Sequence, residues 1–254
     1  MKPLLRIAYL GTAYHGYQVQ ANGVTVQQKL NEAAADLFGF DCDVTGCSRT
    51  DSGVHARDFA VTIAEKGKNG LASAIGADKL PQALNVRLPD DIVVLSACFV
   101  PDSFHARYDV QSKRYEYLIW NGRERNPFLT DRAWHLPAPF DEAAIAERRR
   151  GAAAFVGRHD FSALRDSGAD TDDKDAVREV FEVSLEKNGD LIAFRVRADG
   201  FLYHMVRIMT GTLVDVGRGR LAADDLPRLL ASGDRRRMGA TAPAAGLYLD
   251  KVFY

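Results

Sequence analysis

The chain has 254 residues, 46% of them hydrophobic and 26% charged, with a formal net charge of −1 at pH 7. Such a balance excludes a largely disordered chain, and no run approaches the roughly 18 apolar residues that a bilayer span needs, so one large globular domain or two ordinary ones is expected. The start, Met1-Lys2-Pro3-Leu4-Leu5-Arg6, lacks a signal-peptide core, which points to the cytoplasm. Cys42, Cys47 and Cys98 form no Cys-x-x-Cys pair, which argues against a disulfide framework and a structural zinc site.

In chain order, residues 5–10 read as a first strand, stopped by Gly11 and followed by Thr12-Ala13-Tyr14-His15-Gly16-Tyr17-Gln18. Thr25 is placed to cap a helix, with Gln28 completing a capping box; Val26, Leu30, Ala33, Ala34 and Leu37 share one face that ends before Gly39. A strand enters Gly46 and another leaves Ala56, where Phe59, Val61 and Ile63 alternate. Residues 66–76 read as a loop running into a short helix that ends near Leu84-Asn85, and residues 92–100 as a strand rich in Val, Leu and Ile. Residues 114–120 form a further strand, with Tyr115, Tyr117 and Ile119 on one face and Glu116, Leu118 and Trp120 on the other.

Asp141 caps a helix through Phe155 with Ile145, Ala152 and Phe155 as its inner stripe, and Arg148-Arg149-Arg150 is expected to be solvated unless it meets an anion. Residues 166–175 read as an acidic, mobile surface loop whose spacing fails the calcium-loop pattern. Asn188-Gly189 centres a hairpin between strands over 181–185 and 191–198. Residues 201–216 read as an apolar, buried helix with Arg207 in its middle, ended by Gly217-Arg218-Gly219. A short helix over 224–230, the basic loop Arg235-Arg236-Arg237 and a strand over 247–254 complete the chain. Hairpins dominate over regular βαβ alternation, so the class is α+β. Pro101-Asp102-Ser103 marks the boundary between an N-terminal half, 1–103, and a C-terminal half, 104–254.

The stretch from Gly46 to Ala56, Gly-Cys-Ser-Arg-Thr-Asp-Ser-Gly-Val-His-Ala, concentrates the chemistry. Glycine takes positive φ without steric cost, so Gly46 and Gly53 allow a sharp loop that presents Arg49 and Asp51 from a rigid sheet. Thr50-Asp51-Ser52-Gly53 is also ordinary turn chemistry, and Cys47 can be a nucleophile or a small buried filler. With no phosphate loop, dinucleotide fingerprint or His-Glu-x-x-His motif in the sequence, neither metal nor cofactor is expected. An arginine inside an apolar helix calls for an anion, which makes Asp51 the natural partner of Arg207, as a mere buried ion pair or as a catalytic pair. Tyr115 is either core or a flat platform. Arg107, Lys113, Arg114, Arg123, Arg125 and Arg132 fall in one segment with Tyr108, Tyr115, Tyr117 and Trp120, and positive charge interleaved with flat rings suits RNA.

Taken together, these residues resemble the TruA family of tRNA pseudouridine synthases, whose central motif GxGRTDxGVHA matches Gly46 to Ala56. Similar stretches run through nearly the whole chain, among them Tyr14 to Gln18, Phe104-His105-Ala106-Arg107, Arg114-Tyr115-Glu116-Tyr117, Phe201 to Arg207 and Ala244 to Leu249. The resemblance implies a pseudouridine synthase fold of two similar ferredoxin-like or RNP-like halves sharing an extended, mostly antiparallel sheet with a central cleft. It implies isomerisation of uridine at positions 38, 39 and 40 of the tRNA anticodon stem-loop, without metal or cofactor, by a homodimer. Asp51 matches the catalytic nucleophile and Arg207 its ion-pair partner. Tyr115 matches the tyrosine packed on the base and Arg49 the arginine that holds the flipped nucleotide; Leu247, Arg107 and Arg114 fall in matching substrate-binding segments. Ser48 replaces a usual glycine, Ser52 an alanine, Tyr17 a tryptophan and Leu10 an aspartate, so a carboxylate at the Leu10 turn is not expected. A tRNA-binding or chaperone module without catalysis is the alternative, and an aspartate-dependent glycoside hydrolase a third reading that lacks an obvious second carboxylate.

Overall fold

β1 (Lys2–Tyr9) begins three residues before its apolar run, because Lys2, Pro3 and Leu4 pair with Val100, Phe99 and Cys98. This is a computed structural model that describes residues 1–71, 73–167 and 175–254. α1 (Val26–Phe38) starts on Thr25, whose Oγ1 accepts from Gln28 N at 3.3 Å, and stops on Gly39 in the left-handed region. A cap of this kind stabilises a helix by about 1 kcal/mol. Val26, Leu30, Ala33 and Ala34 are buried as the periodicity requires. Gln28 Nε2 reaches forward to Glu32 at 2.9 Å rather than back to the cap.

β2 (Cys42–Gly46) and β3 (His55–Glu65) pair antiparallel from Cys42 opposite Glu65 to Gly46 opposite Val61. The expected alternation on β3 gives way to burial of both faces: Phe59, Ala60, Val61, Thr62 and Ile63 are all buried. α2 (Leu80–Asn85) leads into β4 (Ile92–Val100), and β1 runs antiparallel to both β3 and β4.

The second unit opens with β5 (Ser112–Trp120), and the two-residue β6 (Trp134–His135) pairs parallel to it. Both faces of β5 are covered from Tyr115 to Ile119, Glu116 being buried against Arg195 Nε at 2.7 Å. α3 (Glu142–Ala153) starts on Asp141, whose Oδ1 accepts from Ala144 N at 2.7 Å. Solvation of the arginine run fails at Arg148, which is 0% exposed. Its guanidinium lies 3.8 Å over the Phe140 ring and its Nε donates to the Leu213 carbonyl at 3.0 Å, so an aromatic face and a carbonyl replace water. Burial, with Arg218 nearby, pushes its pKa down to about 10.

β7 (Gly157–Asp160), β8 (Val177–Asn188) and β9 (Leu191–Ala198) pair in succession, antiparallel, and β9 also pairs antiparallel with β5. The hairpin turn is Gly189-Asp190, one residue later than read, with Gly189 at φ 59° as the first central residue of a type II′ turn takes it. Of the acidic stretch, residues 168–174 lie outside the described residues. α4 (Met205–Gly217) begins four residues later than the apolar run, because His204 sits at φ 61° and cannot join the helix. α5 (Leu226–Ala231) follows a short 3-10 turn over Ala223–Asp225.

β10 (Leu247–Phe253) pairs parallel to β3, with Tyr248 opposite His55 and Leu249 opposite Ala56. The chain therefore divides into Met1–Gln111 with Tyr248–Tyr254, and Ser112–Leu247. This differs from a single cut after Ser103: backbone pairing returns the last strand to the first unit, which a linear boundary cannot express. Each unit is a mixed α+β structure with a mostly antiparallel sheet.

Candidate active site

The loop between β2 and β3 is tied down residue by residue. Cys47 continues the ladder, its N donating to Ala60 O at 2.9 Å and its Sγ accepting from Ala60 N at 3.4 Å; it is fully buried, as a filler would be. Thr50 Oγ1 and the Tyr9 hydroxyl share a hydrogen bond of 2.8 Å, and the Thr50 carbonyl accepts from Tyr17 N at 3.1 Å. The Asp51 carbonyl accepts from Val54 N at 3.2 Å, closing a turn in which Gly53, at φ 79°, fills the third position of a type II turn. Ordinary turn chemistry and display of Asp51 are thus one device, and the Asp51 residue stays half-buried. Gly46 has a different reason from the expected one. It is the last residue of β2, and a Cβ there would meet the Tyr17 ring at 2.5 Å; that ring stacks on Phe59 with centroids 4.5 Å apart.

His55 Nδ1 accepts from Gly11 N at 2.9 Å. A backbone N–H only donates, so this buried imidazole carries its proton on Nε2. At the Leu10 turn a carboxylate is present after all, brought by Asp91: its carbonyl accepts from Leu10 N at 2.9 Å and its Oδ1 from the Tyr14 hydroxyl at 2.5 Å. Burial and then Asp91 push the Tyr14 hydroxyl pKa up. Arg49 is exposed. Arg107, also exposed, holds its guanidinium 5.7 Å from the ring of Tyr108, which is 74% exposed and has His105 at 4.3 Å.

In the second unit Tyr115 is buried on β5 and meets the Phe201 ring edge-on at 4.9 Å. Arg114, one residue earlier, is half-buried opposite Arg197. Arg207 is not mid-helix but on the first turn of α4, half-buried; its Nε donates to Ala242 O at 2.7 Å and its carbonyl accepts from Ala242 N at 3.2 Å. One residue after Ala242, the Pro243 carbonyl accepts from the Tyr117 hydroxyl at 2.6 Å, and burial drives the pKa of that hydroxyl far up against the opposing pull of Arg207. Leu247 is buried at the start of β10. Among the predicted site residues, the first unit thus carries Arg49, Asp51 and Arg107, and the second Arg114, Tyr115, Arg207 and Leu247. Phe128, 84% exposed on the 3-10 turn Pro127–Leu129, stands in a segment with the exposed Arg123, Arg125 and Arg132.

Sequence reasoning missed a network around Asp166. Its Oδ1 accepts from Arg235 Nε at 2.7 Å, and its Oδ2 from His204 Nδ1 at 2.8 Å and Thr241 Oγ1 at 2.7 Å. Burial works against the ionised carboxyl, but the donors Thr241, His204 and Arg235 outweigh it and hold its pKa down at about 2. Arg235, from the stretch read as a basic loop, further donates Nη1 to Gly239 O at 2.9 Å and Nη2 to Thr241 Oγ1 at 2.8 Å. The partners stand 38, 69 and 75 residues from Asp166, so no local spacing announces them.

No helix among the described residues is long and apolar enough to cross a membrane. The sequence profile of the tRNA pseudouridine synthase family matches residues 6–109 and 152–254. tRNA pseudouridine synthase A of Thermoanaerobacter sp. is 43% identical over 251 residues, which span 99% of this chain and 98% of that protein. Proteins of the same name from Acetivibrio thermocellus, 43% identical over 250 residues and 98% of each chain, and from Moorella thermoacetica, 42% identical over 256 residues, 99% of this chain and 100% of that one, are similar to it over their whole lengths. A profile that reaches both units, together with relatives matched from end to end, shows that the chain belongs to the tRNA pseudouridine synthase family.

Proposed function

We propose that this protein isomerises uridine to pseudouridine in tRNA, at positions 38, 39 and 40 of the anticodon stem-loop, acting as a homodimer in the cytoplasm. The observation that carries the reading is the end-to-end match to relatives named tRNA pseudouridine synthase A. The motif resemblance supports the stem-loop and the homodimer.

The reaction sets physical requirements. A stacked uridine is out of reach, so it must be flipped into a pocket at a cost of a few kcal/mol. The C1′–N1 bond then breaks, the uracil turns, and a C1′–C5 bond forms. We assign Asp51 as the nucleophile. Its carboxylate adds to C1′ while the bonding pair leaves with N1; C5 of the turned uracil then attacks C1′ and expels the carboxylate. The C5 proton goes to solvent and N1 takes up a proton, so atoms balance without a cofactor. Arg207 pairs with Asp51 and aims it, Tyr115 and Leu247 cover the base, and Arg49 holds the flipped nucleotide. Arg107 and Arg114 meet phosphates. A loop fixed by Thr50, Gly53 and Val54 supports this assignment, because a nucleophile must not drift.

Loss of the C5 hydrogen gives a direct assay. Transcripts carrying tritium at uridine C5 release it to water on incubation with the protein. A chain that folds and binds the tRNA yet releases none is the non-catalytic module instead.

A further inference from the structure

Asp166 belongs to no assigned role, yet its carboxylate is the junction of a closed ring of contacts that ends twice on Arg207. One arm runs through His204. That residue adopts φ 61° and ψ 5°, a left-handed conformation that a side chain with Cβ holds only when its contacts enforce it. Two contacts do so: the Asp166 Oδ2 at 2.8 Å from Nδ1, and the Tyr203 ring stacked 3.7 Å from the imidazole. Since His204 is the residue on which α4 starts, it decides where the first turn lies, and Arg207 is on that turn.

The other arm runs through Thr241, whose Oγ1 donates to the same Oδ2 at 2.7 Å and accepts from Arg235 Nη2 at 2.8 Å. Arg235 closes that corner by donating Nε to Asp166 Oδ1. The next residue, Ala242, grips Arg207 by both its carbonyl oxygen and its Nε. One carboxylate therefore fixes the helix start and the segment at Thr241-Ala242 that together hold the Arg207 main chain and the inner nitrogen of its guanidinium.

We propose that Asp166 is a positioning residue for pseudouridine formation, acting through His204 and Thr241 to aim the guanidinium of Arg207. The inference rests on the assignment of Arg207 as the partner of the catalytic carboxylate.

The test is a double-mutant cycle on the full chain, read by single-turnover tritium release and by tRNA binding, well below the melting temperature. D166A lowers kcat between about ten- and a hundredfold, with KM for tRNA held within about twofold. D166N, which keeps an oxygen acceptor, recovers part of the loss, and T241V falls between D166N and the wild type. Adding D166A to R207A changes kcat by less than about twofold, because the group it aims is gone. D166A at wild-type kcat, or a D166A loss that is as large in R207A as in the wild type, overturns the inference. R207A at wild-type kcat instead overturns the assignment of Arg207. If D166A fails to fold, T241V and D166N are carried through the same cycle with the same criteria.

Discussion

The Tyr9 hydroxyl and Thr50 Oγ1 share a 2.8 Å hydrogen bond in the buried floor of the loop, one residue before Asp51. A strand thus steadies the turn from below. Tyr9→Phe keeps the ring but leaves the Thr50 hydroxyl without this partner, at a cost of about 1 kcal/mol in stability. The expected result is a small drop in melting temperature, a clear drop in tritium-release rate, and tRNA affinity close to the wild type. Equal losses in affinity and rate would mean that the bond supports the fold in general rather than the loop.

Asp166 makes stability acid-sensitive. Its carboxyl ionises near pH 2 in the folded chain, against about 3.9 in an unfolded one. The folded value is depressed, so the stabilisation is complete above about pH 4 and is lost as pH falls from there toward 2. On the order of 2 kcal/mol is involved. Denaturant titrations of wild type and D166N at pH 6, 4 and 3 test this: the gap between them should close at the acid end, and a constant gap would contradict the account.

Arg148 is a buried cation held by one carbonyl and one ring, and among the described residues its Nη1 and Nη2 have no hydrogen-bond partner. Replacing such a charge by an apolar side chain of similar length is neutral or stabilising by about 1 kcal/mol or more. Arg148→Met should therefore hold or raise the unfolding midpoint, whereas Arg148→Ala, which leaves a hole against Phe140 and Leu213, should lower stability by about 2 kcal/mol. A large loss with methionine would show that the charge itself is needed.

The exposed segment of Arg123, Arg125 and Phe128 offers charge and a bare ring for RNA. R123A/R125A should flatten the plot of log binding constant against log salt by about two phosphate contacts. Phe128→Ala should weaken binding by about 1–3 kcal/mol with the slope kept, as loss of a stacking surface does. Unchanged salt dependence in the arginine variant would remove this face from the tRNA footprint.

Legibility in the sequence followed range. α1 was readable to the residue, because Thr25, its buried stripe and Gly39 act within a few positions of one another. The β8–β9 hairpin was found but placed one residue early, since Asn188 is drawn into the ladder opposite Leu191. Arg148 was misread for a reason present in the sequence: three consecutive helical residues spread over about 200° and cannot all face water. Position 148 lies three beyond Ile145 and four before Ala152, on the stripe already identified as internal. The start of α4 and the Asp166 network were beyond local reading. His204 falls inside the apolar run, and a carboxylate from another part of the chain, together with the Tyr203 ring, holds it out of the helix. The motif from Gly46 to Ala56 made the loop conspicuous, but the reason for Gly46, the ring of Tyr17, lies nearly thirty residues away.

The central claim is that Asp51 makes pseudouridine in tRNA. Its most direct measurement is carbodiimide-dependent primer extension on unmodified tRNA transcripts incubated with wild type or with Asp51→Asn. The account predicts stops confined to positions 38 to 40 with the wild type and none with the variant, which still folds and binds tRNA. Stops at wild-type level with Asp51→Asn, or none with the wild type, would contradict it.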